Sequence, residues 1–331
     1  MSTYYVDPAG SNTSPYDTWA KAATNLQTVA DLAVAADTVY MRGTQSLAAI
    51  IDFDTNSGTA GVPIKFIGCN AAGNVDGTRF VLDAAGEPAK TKCMYVTGRS
   101  YLWFVNIECR NASGAGIDYG TANFSNVWIN CESHNNGTHG WELYYASTND
   151  LFLGCRAYGN GGDGFSNTYN PPAFYFCTAK DNGGDGFYNV APQALLVGCV
   201  SHNNGAYGVV TSRAIRMIHC VVDENDLDGV RDNNNDGPSH VLFCRVTDNG
   251  KSEVGSGIQN AGTGPTLYGW CFFADNYDSP VTGDTLALPF RDDADTNETA
   301  GTEGYVDGAA DDFNLVEGAT LRDVTVYLDD A

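Results

Sequence analysis

Between about residue 105 and residue 280 the chain alternates short apolar–polar runs with Asn- and Gly-rich turns, and nothing there has the period of a buried helix. Val127-Trp128-Ile129-Asn130-Cys131-Glu132-Ser133 is representative. Its alternation puts Val127, Ile129, Cys131 and Ser133 on one face, as expected of a strand buried on one side. Leu151, Leu153, Cys155 and Ala157 repeat the pattern, as do Leu195, Val197, Cys199 and Ser201.

These runs recur on a beat. From Cys109 the cysteines continue at 131, 155, 177, 199, 220, 244 and 271, in steps of 22, 24, 22, 22, 21, 24 and 27. Five residues beyond Cys stands Asn136, Asn160, Asn182, Asn204, Asn225, Asn249 or Asn276. Nine beyond stands Gly140, Gly164, Gly186, Gly208 or Gly229, with Gly257 displaced by a longer turn. A constant period of this size marks a solenoid. Each repeat reads as strand, Asn-Gly turn, strand and looser turn, with Asn and Gly supplying positive φ. About 22 residues is too short for a strand–helix unit and fits one rung of a parallel β-helix, with rungs about 4.8 Å apart. The fold class predicted is all-β: a right-handed parallel β-helix of about ten rungs with an N-terminal capping helix.

Three segments follow. Residues 1–37 form a cap, whose helix over 17–36 carries Trp19, Ala22, Leu26, Val29 and Ala33 on one stripe and plugs the open end of the solenoid. Residues 38–280 form the β-helix, beginning with a strand at Thr38-Val39-Tyr40-Met41. Residues 281–331 form an acidic loop with a closing element at Asp312-Phe313-Asn314-Leu315 and a covering strand from Leu321 to Leu328.

The repeating Asn ladder and the N-G-x-x-G-(F/W/V) signature, as in Asn160-Gly161-Gly162-Asp163-Gly164-Phe165, resemble the right-handed parallel β-helix of the pectin-lyase-like superfamily. That resemblance implies the fold; the superfamily includes lyases, hydrolases, epimerases and non-catalytic viral proteins, so function must come from the site.

Charge narrows the partners. With 17 Lys and Arg against 40 Asp and Glu the net charge is -23, which excludes nucleic acid and anionic membranes as partners. No apolar run approaches the roughly 18 residues of a membrane span. Met1-Ser2-Thr3-Tyr4-Tyr5 has no signal-peptide character, so the protein is expected to be extracellular only if a signal has been removed, and otherwise cytoplasmic or virion-associated. The ten cysteines are read as a stacked core column. In-register Cβ atoms lie near the rung spacing, beyond disulfide distance, and a straight column cannot surround a tetrahedral ion.

In a β-helix, sequence offsets become lines in space. The residue before the repeat Gly runs Ala115, His139, Asp163, Asp185, Tyr207, Asp228, Ser256; two beyond it run Asp118, Glu142, Ser166, Tyr188, Val210, Arg231, Gln259. A groove of carboxylates, His and aromatics suits a linear polysaccharide. Asp163 and Asp185, on adjacent rungs about 5 Å apart, are the candidate catalytic pair with His139. Crowded carboxylates push their pKa values apart, and this spacing is nearer retaining than inverting geometry. Glu142, Tyr188, Tyr207, Asp228 and Arg231 are the candidate substrate-binding residues.

The pre-Gly column also resembles polygalacturonase-type glycosidases at Asp163-Gly164-Phe165, Asp185-Gly186-Phe187 and His139-Gly140-Trp141, although His139 precedes the Asp rungs. A β-eliminating lyase would use a cation, with Ca²⁺ held by Asp163, Asp185 and Glu142, and a base among Arg231, Tyr188, Tyr207 and His139. A second candidate Ca²⁺ loop is Asp232, Asn234 and Asp236, followed by Gly237 but lacking the closing Glu. Against each stands a structural reading, since Asp before Gly is good turn chemistry. The sequence thus predicts a polysaccharide lyase or glycoside hydrolase; the alternative is a non-catalytic glycan-binding or viral tail-fibre protein, for which a trimer would be natural, though no heptad supports one.

Overall fold

The computed structural model describes residues 1–85, 90–120, 125–143, 149–168, 172–189, 194–252, 255–277, 281–282 and 285–287. The closing element and covering strand expected after residue 310 lie outside these residues.

Each rung holds three strands, not two. In the rung of Cys131 they are Val127–Ile129, Glu132–His134 and Trp141–Leu143. Among the described residues, stacking makes three parallel sheets: sheet 1, of twelve strands from Thr3–Val6 to Thr285–Ala287; sheet 2, of ten from Thr44–Ser46 to Phe272–Ala274; and sheet 3, of ten from Ile51–Phe53 to Val281–Thr282. The solenoid is right-handed. It begins before residue 38, because Thr3–Val6 pairs with Thr38–Arg42, and it continues past 280.

The third strand was hidden by a one-residue corner. Between sheets 1 and 2 a single residue takes the left-handed conformation: Asn106, Asn130, Gly154, Phe176, Gly198, His219, Phe243 and Trp270, with φ between 50 and 63°. The corner reverses the inside–outside phase. Trp128 is fully buried, Asn130 turns, and Cys131 and Ser133 are buried next. Val127 and Ile129, expected inside, therefore face outward, and so do Leu151, Leu153, Leu195 and Val197. Alternation misassigned them because sheet 1 is apolar on both faces.

Inside, equivalent residues stack. Phe66, Phe104, Trp128, Phe152 and Phe174 form one column, with consecutive ring centroids 4.1 to 6.3 Å apart. Trp141, Phe165 and Phe187 form another, at 4.7 and 5.0 Å. All ten cysteines are buried free thiols. Seven make a straight column from Cys131 to Cys271; Cys109 leaves it, because it pairs with Ser133 and Ile107 takes the equivalent place. Burial pushes the thiols of Cys131, Cys177, Cys199 and Cys244 up.

After sheet 2 the chain turns again and sends one Asn inward per rung. Asn136 Nδ2 donates to Asn160 Oδ1, Asn160 to Asn182, Asn182 to Asn204 and Asn204 to Asn225, each at 2.9 Å. Each Oδ1 also accepts the amide N–H of the Asn one rung earlier, at 3.1 or 3.2 Å. Asn136 is therefore a buried ladder residue. The repeat Gly is enforced here too: a Cβ on Gly164 would meet Gly186 O at 2.7 Å and Asn182 Nδ2 at 3.0 Å.

The N-terminal helix is shorter than expected, only Leu26–Ala30, preceded by a 3₁₀ turn at Trp19–Lys21. Asn25 starts it by accepting from Gln27 N–H at 2.9 Å. Ala22, Leu26, Val29 and Ala33 of the expected stripe are buried. Asp31 and the turn after it end the regular helix while Ala33 still reaches the core.

Two outcomes are expected. Asn182→Ala orphans the amides of Asn160 and the carbonyl of Ala157; it should cost about 3 kcal/mol or more in denaturant unfolding. Thiol reagents should find no reactive cysteine in the native chain and all ten after unfolding.

Candidate active site

The outer face of sheet 3 carries both predicted lines. Register aligns Asp52, Tyr95, Asp118, Glu142, Ser166, Tyr188, Val210, Arg231 and Gln259 in one column. Beside it runs the pre-Gly column. Since Met94 pairs with Ile117, this column extends back to Lys92, with Cys93 in the Gly position. That substitution hid Lys92 from the repeat search. The signal that could have found it is the Met94-Tyr95-Val96 strand immediately after. Thus His139, Glu142, Asp163, Asp185, Tyr188, Tyr207, Asp228 and Arg231 do share one face. His134 and His202 lie on sheet 2, His240 on sheet 1, and His219 at a corner.

The pre-Gly side chains have structural work as well. Asp163 N–H donates to His139 Nδ1 at 3.0 Å, and Asp185 N–H donates to Asp163 Oδ1 at 2.9 Å. Tyr207 N–H donates to Asp185 Oδ1 at 2.9 Å, and Ser256 N–H to Asp228 Oδ1 at 2.7 Å. Each carboxylate thus spends one oxygen on the next rung's amide. What differs is the other oxygen. Asp163 Oδ2 lies 3.3 Å from His139 Nδ1, and Asp228 Oδ2 accepts from Arg231 Nη1 at 3.1 Å. Among the described residues, Asp185 Oδ2 has no protein partner.

Electrostatics follows this pairing. Burial drives the Asp185 carboxyl up to about 7; the Tyr207 amide opposes the shift and the Asp163 charge adds to it. For His139, burial disfavours the charged ring, but the hydrogen bond and charge of Asp163, with Glu142 and Asp185 behind, outweigh it and raise the pKa. His139 Nδ1 cannot serve both neighbours at once. As a neutral ring protonated on Nε2 it accepts the Asp163 amide; doubly protonated, it donates to Asp163 Oδ2. Burial, then Asp118, also raises Glu142.

Towards the N-terminus, Lys92 is ion-paired to Asp118 and lies 4.2 Å over the Tyr95 ring. An open depression of about 700 Å³ there is lined by Ala49, Ile50, Asp52, Lys90, Lys92 and Tyr95. Towards the C-terminus, Arg231 is tied to Asp228, Asn233 and Gln259 and sits 5.6 Å from the Tyr207 ring centroid. Arg231 is thus neutralised by Asp228.

Neither predicted calcium site fits well. Asp163, Asp185 and Glu142 do not bring three ligand atoms within 4.8 Å of one another; among the described residues, Glu108, Glu132 and His134 do, as do His202, Asp223 and Glu224. The first of these groups is already taken up by Arg79, Arg110 and Arg156. In the other predicted loop, Asp232 accepts from Asn234 N–H and Thr266 Oγ1, Asn234 Oδ1 accepts from Asp236 N–H, and Asp236 pairs with Arg213. Those oxygens close a polar turn.

A family model described as the right handed beta helix region matches residues 129–272. The chain folds as a right-handed parallel β-helix. Pectate lyase Pel9A is similar in structure, with a TM-score of 0.71, 20% identity, and 91% of this chain and 82% of that one covered. ORF18 of Geobacillus virus E2 follows at 0.60 and 12%, covering 79% of this chain and 54% of that one. The GH136 lacto-N-biosidase of Eubacterium ramulus aligns at 0.51 and 13%, covering 88% and 67%. No curated protein matches the chain in sequence. No described helix is long and apolar enough to cross a membrane.

The Asp185 shift makes a stability prediction. Its folded pKa of about 7 stands above the ordinary 3.8, so the folded state binds the extra proton between these values. Stability is then lost as pH rises through that window. Asp185→Asn keeps the oxygen that accepts the Tyr207 amide and removes the charge. Relative to wild type it should gain stability between pH 4 and pH 8, by up to about 4 kcal/mol, in paired denaturant titrations.

Proposed function

We propose that this protein is a polysaccharide-degrading enzyme, a lyase or glycoside hydrolase, that lays a linear glycan along the outer face of sheet 3. The carrying observation is the unequal pairing of adjacent carboxylates. Asp185 has one oxygen with no protein partner among the described residues and a carboxyl near 7, while Asp163 is held against His139. At neutral pH, Asp185 is partly protonated and suited to donate a proton to a leaving glycosidic oxygen. The Asp163–His139 couple is suited to accept one in the tautomer whose Nδ1–H donates to Asp163 Oδ2, which leaves the Nε2 lone pair of His139 as the working base. Tyr95, Tyr188 and Tyr207 would pack against sugar rings, and Lys92 and Arg231 would orient polar groups. The face extends eight rungs, about 34 Å at the rung spacing, which favours an extended chain over a small molecule. The fold likeness to a pectate lyase and a lacto-N-biosidase agrees with a glycan substrate.

Ca²⁺ enters this reading only as an arm of the test. Pectate, alginate and neutral glycans are incubated with and without Ca²⁺, following both the ultraviolet absorbance of unsaturated ends and the appearance of reducing ends. Absorbance marks a lyase; reducing ends alone mark a hydrolase. Asp163→Asn and Asp185→Asn should each lower the rate by about a hundredfold or more, His139→Ala should lower it too, and His202→Ala should leave it unchanged. A glycan bound but never cut would instead support the non-catalytic or viral-fibre reading, to which the turn bonds of Asp163, Asp185 and Asp228 and the viral structural likeness both belong.

A further inference from the structure

The outer face of sheet 1 is a second apolar surface. Because the corner reverses the alternation, Val127, Ile129, Leu151, Leu153, Leu195 and Val197 point away from the core. They fall in the same half-buried range as Glu142 and Arg231 on sheet 3, and among the described residues no strand or helix is laid over them. A parallel sheet apolar on both faces is the pattern of a sheet covered on both faces. The adjoining corner widens the strip. The Phe176 ring lies against Gly198, where a Cβ would meet it at 2.6 Å, and His219, Phe243 and Trp270 stack in sequence at 5.0 and 4.8 Å. Phe176, Phe243 and Trp270 are 37, 42 and 41% exposed. They occupy left-handed positions that Asn106, Asn130 and Gly154 fill lower down, so side chains poorly suited to that backbone are carried there.

Charge selects the occupant. The chain has 40 carboxylates, yet the outward positions of sheet 1 from the rung of Trp103 to that of Leu267 hold none, and Arg216 and His240 are their only basic groups. A chain of net charge -23 repels its own copies wherever carboxylates face outward. Here two copies can meet without opposing them. Eight rungs by the width of sheet and corner make a patch of about 500 Å², so that two copies together bury the roughly 1,000 Å² that a specific interface needs. Its ridges repeat once per rung on every copy, which suits two-fold sheet-on-sheet packing about 10 Å apart. We infer that the protein self-associates through the outer face of sheet 1, a second copy of this chain being its cover.

Sedimentation velocity of the full chain over a roughly hundredfold concentration range tests this. Wild type should associate. Leu153→Lys and Val197→Lys each place a lysine in the dry contact and should weaken association by about a hundredfold or more. Thr178→Lys, on the outer face of sheet 2, should leave it unchanged. Circular dichroism and thermal melting establish that each variant is folded. Should a lysine variant fail to fold, Leu153→Thr and Val197→Thr take its place, with the same direction expected. Association lost in folded variants supports the inference. A wild type monomeric throughout, or association unchanged in the folded variants, overturns it.

Discussion

Everything in this molecule depends on satisfying peptide groups at sharp corners that face a dry interior. A strand can stack on its equivalent with every N–H and C=O paired, but a corner cannot, and burying an unpaired amide costs about 1–3 kcal/mol. The chain solves this twice per rung. One corner is a single left-handed residue; the other is followed by an Asn whose side chain accepts one rung's amide and donates to the next. Because each Asn needs its neighbour, the rungs are locked in register. That lock puts Cys over Cys, Phe over Phe and Asp over Asp.

Register has opposite consequences inside and out. Inside, like on like is favourable: flat rings stack near the rung spacing, and thiols fill a narrow column. Outside, like on like crowds charges. On sheet 3 the chain answers by pairing, with Lys92 on Asp118, His139 on Asp163 and Arg231 on Asp228. Within the pre-Gly column Asp185 is the aspartate left without a basic partner, and burial raises its carboxyl. The candidate chemistry is therefore a by-product of the same stacking that holds the fold, biased by which rungs received a basic partner.

Much of this was legible in the chain itself. The period, the Asn ladder and the two outward columns of sheet 3 come from spacing alone, because an in-register solenoid converts an offset into a position. Lys92 was missed where Cys93 replaces the repeat Gly, and Cys109 was placed in the wrong column because a 22-residue step looked regular while the strand pairing runs to Ser133. The N-terminal helix was overextended because an apolar stripe does not say where backbone hydrogen bonds stop.

The sequence by itself determined the repeat, and through it the fold and the face on which carboxylates, His and Tyr gather. Only the tertiary structure decided which side of sheet 1 is inside, since one left-handed residue inverts the phase and both sides are apolar. Only it distinguished Asp185 from Asp163 and Asp228. All three precede Gly and all three accept an amide from the next rung, but the fate of the second oxygen depends on which side chain of a neighbouring strand comes within reach, and that is a property of distance in space.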